Sequence, residues 1–96
     1  MPQKDPNTLF LTIKKKWFDE IATGKKKEEF REIKPFFDTR LSKPYKYVIF
    51  QNGYAPNAPR LLVEFNGIKK KKIDGVLCYA IQLGRVIKVS KYPVAP

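Results

Sequence analysis

Polar and apolar residues alternate along this chain with two different periods. Thr8-Leu9-Phe10-Leu11-Thr12-Ile13 is rich in β-branched and aromatic residues and predicts a strand. From Lys14 to Thr23 the spacing lengthens. Trp17 and Ile21 stand four apart, as do Phe18 and Ala22, which gives a helix with one apolar face. That face makes Trp17 a core residue in expectation, ahead of a stacking platform. Gly24 is placed to end the helix in the left-handed conformation that any side chain would penalise. A strand is expected from about Lys25 to Ile33. Pro35 then suits the first turn of a short helix to Leu41, with Phe36 or Phe37 turned inward beside Leu41.

Beyond residue 44 the pattern predicts strands alone. Tyr45 to Asn52 is a strong strand, and Asn52-Gly53-Tyr54-Ala55-Pro56-Asn57-Ala58-Pro59 has the composition of a loop. Arg60 to Asn66 alternates, with Leu61, Val63 and Phe65 on one face and Leu62 and Glu64 on the other. A strand over Ile68 to Ile73 would put lysines on both faces. Lys69 to Lys72 with Asp74-Gly75 therefore predicts the exposed tip of a hairpin. Val76 to Leu83 and Arg85 to Ser90 are the last strands, with Gly84 marking a bend or bulge. Residues 1–7 are expected to be a flexible lead-in, 8–90 one domain, and 91–96 a tail. The inventory is a mixed α/β (α+β) chain, a small β-barrel of five to six strands capped by two short helices.

Composition adds charge to this picture. Twenty Lys and Arg against nine Asp and Glu give a net charge of +11 on 96 residues, a field that attracts polyanions, nucleic acid first and anionic membrane second. The chain contains no histidine, which removes Ser-His-Asp and Cys-His catalysis and every His-containing zinc site. Cys78 is the single cysteine and lies in an apolar run, so it reads as a small core residue. No apolar stretch approaches the length of a membrane span or a signal-peptide core, and a cytoplasmic, monomeric protein without metal or cofactor is expected.

The densest charge lies in Gly24-Lys25-Lys26-Lys27-Glu28-Glu29-Phe30-Arg31. Burying an unpaired charge costs several kcal/mol or more, so these groups are either solvated or paired with one another. By itself the stretch is a solvated edge strand or the floor of a binding site. In a regular strand Glu29 and Arg31 share a face and Lys26 has the opposite parity, so Lys26 must reach them from the turn after Gly24 or across a bulge. Flanking cations are expected to keep Glu29 ionised. It would then be a weak base but a good acceptor for an exocyclic amine or a ribose hydroxyl. Arg31 offers a planar fork for phosphate or a base edge, and Lys26 a point charge.

Gly24, Lys26, Glu29 and Arg31 fit the spacing G-x-K-x-x-E-x-R, and in this the chain resembles the ASCH domains, relatives of the PUA RNA-binding barrels. The resemblance extends to Leu11-Thr12-Ile13-Lys14 before Trp17-Phe18, to Glu29-Phe30-Arg31-Glu32-Ile33-Lys34-Pro35, to Phe50-Gln51-Asn52-Gly53-Tyr54 and to Asn57-Ala58-Pro59. These blocks resemble the small single-domain ASCH proteins of bacteria and their phages, and the resemblance covers roughly residues 8 to 90. It implies a PUA-like barrel with a cleft between barrel and helices, floored by the motif, and RNA or a nucleotide or nucleoside as partner. One similar branch hydrolyses N4-acetylcytidine with a lysine and a threonine of this motif, and a ribonuclease activity is attributed to another member. Lys26 matches the lysine. Glu29 stands where the nucleophilic threonine would be, and cannot play that part.

The leading expectation is therefore an RNA- or nucleotide-binding module whose ligand meets Gly24, Lys26, Glu29, Arg31, Asn52 and Tyr54. Tyr45, Tyr47, Phe50 and Tyr54 are candidate stacking rings, of which all but Tyr54 are expected in the core. The alternative is a small hydrolase of a modified nucleoside or of RNA, with Lys26 and Glu29 as its catalytic pair. A third reading makes the motif an internal salt-bridge network. Lys14 to Lys16, Lys25 to Lys27 and Lys69 to Lys72 would form a basic rim along a phosphate backbone.

Overall fold

The structure is a computed structural model that describes residues 7–55 and 57–90; the expected lead-in, apart from Asn7, and the tail lie outside that range. Seven elements follow in order: β1 (Thr8–Ile13), α1 (Lys15–Ala22), β2 (Glu28–Glu32), α2 (Pro35–Arg40), β3 (Tyr47–Asn52), β4 (Arg60–Ile73) and β5 (Val76–Ser90). The five strands form one sheet in the order β1-β3-β4-β5-β2. The domain is thus a small α+β fold, an open five-stranded sheet with two helices.

The sheet grows from the long β4–β5 hairpin. Its turn, Asp74-Gly75, has φ of +52° and +82°, the paired left-handed geometry whose twist matches that of the flanking strands. Ile68 to Ile73 is not a mere tip, as its lysines suggested. It is full strand, paired residue by residue with Ile81 to Val76, and all four lysines remain exposed. The expected division at Gly84 also disappears, because Val76 to Ser90 runs as one strand.

What Gly84 does provide is close approach. The β4–β5 register shifts between Leu62 and Val63, Val63 and Phe65, and Phe65 and Ile68, so β4 bulges opposite this glycine. A Cβ at position 84 would lie 2.9 Å from Glu64 Cβ and 2.9 Å from Asn66 Nδ2. Gly84→Ala is expected to destabilise the fold by about 1–3 kcal/mol through this overlap. Denaturant unfolding checks it, and an unchanged midpoint would mean that the bulge gives way freely.

The shifts also decide which strands meet. One end of the hairpin pairs through β4 with β3, and β3 pairs in parallel with β1; the other end pairs through β5 with β2. Leu9, Leu11 and Ile13 of β1 alternate inward with Val48 and Phe50 of β3 and Leu61 and Val63 of β4. Phe18 and Ile21 of α1 close over them, and both are buried. Each such side chain contributes about 1.5–3 kcal/mol by leaving water. The helix therefore points Phe18 and Ile21 inward, three apart, and leaves Trp17 37% exposed, against the expectation that Trp17 is core.

Although β1 and β2 are the two edges of the sheet, they approach one another. Arg31 of β2 donates from Nη2 to the carbonyl oxygen of Thr12 in β1, at 2.9 Å. Among the described residues no backbone ladder pairs β1 with β2, and this side chain bridges them. The gap beside that link, roofed by α1, is where the motif residues gather.

Candidate functional site

Thr23 caps α1, and Gly24 follows with φ of +83° while donating its amide to Ile21 O at 3.1 Å. This is the left-handed turn expected of it, and it reverses the chain so that the Lys26 amide donates back to Glu20 O at 3.0 Å. Lys26 thus precedes the strand proper and reaches Glu29 from the turn. Its ammonium lies 3.7 Å from Glu29 Oε1. Gly24 itself does not line the cleft that holds Glu29, and its part is to place Lys26.

Glu29 is the buried acid of the domain, 6% exposed. On its other side Arg31 donates from Nε to Glu29 Oε2 at 3.0 Å. Burial pushes the Glu29 carboxyl above its ordinary value, and the opposing pull of Arg31 and then Lys26 does not cancel it. The expectation from charge spacing weighed the cations alone; the lost water adds a shift in the opposite direction. The sign for stability follows. Glu29 favours the fold most below its unfolded pKa, and that contribution is lost as pH rises through the higher folded value.

Arg31 is also corrected. Its Nε holds Glu29 and its Nη2 holds the Thr12 carbonyl, while the guanidinium lies 5.8 Å from the Phe37 ring centre. A fork so engaged positions the carboxylate and is not a free phosphate clamp. Asn52 is similar, since its Nδ2 donates to Ile13 O at 3.1 Å and pins the ends of β1 and β3 together.

These groups floor a cleft of about 540 Å³ lined by Thr12, Trp17, Glu29, Phe30, Arg31 and Tyr54, with Lys14, Asn52 and Gly53 around them. The volume is within the range of small-molecule sites. Tyr54 is 86% exposed and its hydroxyl lies 3.4 Å from Thr12 Oγ1, so this ring stands at the mouth, as its loop position suggested. Trp17 faces it as part of the same lining. Lys26 Nζ sits 4.9 Å from the Trp17 ring centre and 4.9 Å from that of Phe30, so its charge is held by rings as well as by Glu29. Phe50 is fully buried, and Tyr45 packs edge-on against Phe65 with its hydroxyl donating to Arg40 O, both as core residues should.

The cleft therefore unites Glu29, Arg31, Asn52 and Tyr54 of the sequence-derived set, with Lys26 against its floor. Trp17 was missed because four-residue spacing from Ile21 resembles a core stripe. Thr12 was missed because it contributes a backbone carbonyl, which no sequence pattern marks. Among the described residues no group of three or more His, Cys, Asp or Glu could hold a metal ion, and no helix is long and apolar enough to cross a membrane. The chain matches no protein-family model, and comparison with curated proteins and with solved structures gives no significant match.

Proposed function

We propose that the protein is a nucleotide- or RNA-binding module of the PUA-like, ASCH type, which takes a nucleobase into the cleft over Glu29. On this reading the curled sheet is a barrel whose last seam is the Arg31–Thr12 bond. The observation that carries the proposal is a buried carboxylate, held from both sides by Lys26 and Arg31, in one cleft lining with the rings of Trp17 and Tyr54. A flat ligand with an apolar face and a polar edge matches that pairing. The rings stack on the face, and Glu29 accepts from an exocyclic amine on the edge. Stacking of this kind is worth about 1–3 kcal/mol per base. The net charge of +11 favours an anionic ligand.

Trp17 is the chain's single tryptophan and makes the test direct. Titration with adenosine, cytidine, guanosine, uridine and short RNAs is expected to quench its fluorescence. The amine-bearing bases should bind more tightly than uridine. Trp17→Ala is expected to weaken binding by roughly 5- to 150-fold, the equivalent of one stacked base. No binding to any of these ligands would sink the proposal, as would equal binding by a Lys26/Glu29/Arg31 triple alanine variant.

A second reading, a small hydrolase of a modified nucleoside or of RNA, is favoured by the raised pKa of Glu29, since a general acid or base at neutral pH needs such a shift. Lys26 would then stabilise developing negative charge. Incubation with N4-acetylcytidine and labelled RNA decides it. Turnover abolished by Lys26→Ala supports hydrolysis, and no turnover by the wild type excludes both substrates.

A further inference from the structure

A second cleft, of about 620 Å³, opens on the other side of Phe30, which lines both, and Lys26 lines the second while its ammonium reaches Glu29 of the first. Its chemistry differs from that of the first. Lys25, Lys27 and Lys69 surround it, with Asn66 and Gln82 as neutral polar groups and the Phe30 ring as an apolar wall. Among the described residues no ion pair is formed by these three lysines, unlike Lys26. The acid in the same lining, Glu28, is already matched. Lys71 donates to its Oε2 at 2.6 Å and Gln82 Nε2 at 2.7 Å, and the Lys71 bond foremost holds its carboxyl below the ordinary value. The cleft is thus left with an excess of positive charge, because Lys25 and Lys27 add to a Glu28 that already feels both Lys71 and Lys69. A third, smaller cleft of about 260 Å³ continues past Lys26 and Lys27 to Arg85. Lys26 and Lys27 are common to the second and third clefts, and Phe30 to the first and second.

We propose that the ligand is a single-stranded polynucleotide laid across these adjoining clefts. One base enters over Glu29, and the phosphodiester backbone passes Lys26 and Phe30 into the lysine-rimmed cleft. This rests on the nucleobase reading above and deepens it. A lone base would leave the lysine cleft empty, and a cleft of this volume, continued by a third, exceeds what one phosphate fills. A duplex does not suit, because the first cleft needs an unpaired base with both face and edge free. A basic groove beside aromatic stacking rings is the general solution for single strands. Lys25, Lys27 and Lys69 supply affinity without base preference, and Trp17, Tyr54 and Glu29 supply the base contact.

The test compares wild type with a Lys25→Ser/Lys27→Ser/Lys69→Ser variant of the full chain. The probes are the four ribonucleosides, a mixed-sequence single-stranded RNA of about eight nucleotides, its duplex, and inorganic polyphosphate. The variant is expected to bind nucleosides as the wild type does and to lose about tenfold in affinity for the single strand. The slope of log affinity against log salt should fall by about 2, three phosphate contacts at about 0.7 each. The wild type should bind the duplex at least tenfold more weakly than the single strand. Single-strand binding unchanged by the triple substitution overturns the two-cleft path while leaving the nucleobase reading intact. Single-strand binding without any nucleoside binding overturns the nucleobase reading. Duplex or polyphosphate bound as tightly as the single strand overturns the proposal in favour of simple charge attraction.

Discussion

Arg31→Ala is expected to lower the stability of the fold by about 2–4 kcal/mol near neutral pH, the largest effect of any single substitution in the site. Two losses combine in it. The Thr12 carbonyl and the Glu29 carboxylate each lose a donor at 2.9 and 3.0 Å, and with the first goes the side-chain bridge between β1 and β2. Removing one partner of a buried ion pair costs about 3–5 kcal/mol. The lower range applies because the Arg31 side chain keeps 19% of its exposure and Glu29 can escape by taking a proton. That escape fixes the pH dependence. With Arg31 gone the folded pKa of Glu29 rises further, so the deficit against wild type should widen from pH 5 to pH 8. Denaturant titrations at both values check it, and a deficit independent of pH would assign the loss to the Thr12 bond alone.

Glu29→Gln should separate binding from stability. Glutamine keeps the shape and one acceptor oxygen for Arg31 but cannot ionise. Because burial already pushes the Glu29 carboxyl up, the charge opposes folding at high pH, and the variant is expected to be at least as stable as wild type at pH 8. At pH 4, where Glu29 binds its proton in both folded and unfolded chains, the two should converge. Binding should respond in the opposite way. A hydrogen bond to a charged group is worth about 1.5–3 kcal/mol, so affinity for an amine-bearing base should fall about 10- to 150-fold. Melting curves at pH 4 and pH 8 beside nucleoside titrations provide the check. A large loss of stability at pH 8 would instead make the charge a structural one, as an internal salt-bridge network requires.

Much of the fold was legible because period and punctuation were local. The two-residue alternation of Arg60 to Phe65, the Asp74-Gly75 turn, Gly24 after α1 and Pro35 in the first turn of α2 each act within a few residues and fall where the pattern put them. The hairpin was misjudged where locality failed. Lysines on both faces of Ile68 to Ile73 argue against a core strand, but they do not argue against a paired strand with both faces in water. Gly84 looked like a break because glycine weakens strands, whereas here it admits Glu64 and Asn66 from the neighbouring strand.

In the site the division is sharper. Residue spacing alone was enough to join Lys26, Glu29 and Arg31 in one charged group, to have Gly24 turn the chain that brings Lys26 to it, and to put Tyr54 in a loop. Only the tertiary structure decided how deeply Glu29 is buried, that Arg31 is occupied by the carbonyl of Thr12, nineteen residues earlier in the chain, and that Trp17 faces the cleft. The physical reason is that charge pairing at short spacing is set by strand and turn geometry. Desolvation, and the meeting of two sheet edges, depend on how the β4–β5 hairpin bends, and no residue near the motif records that bend.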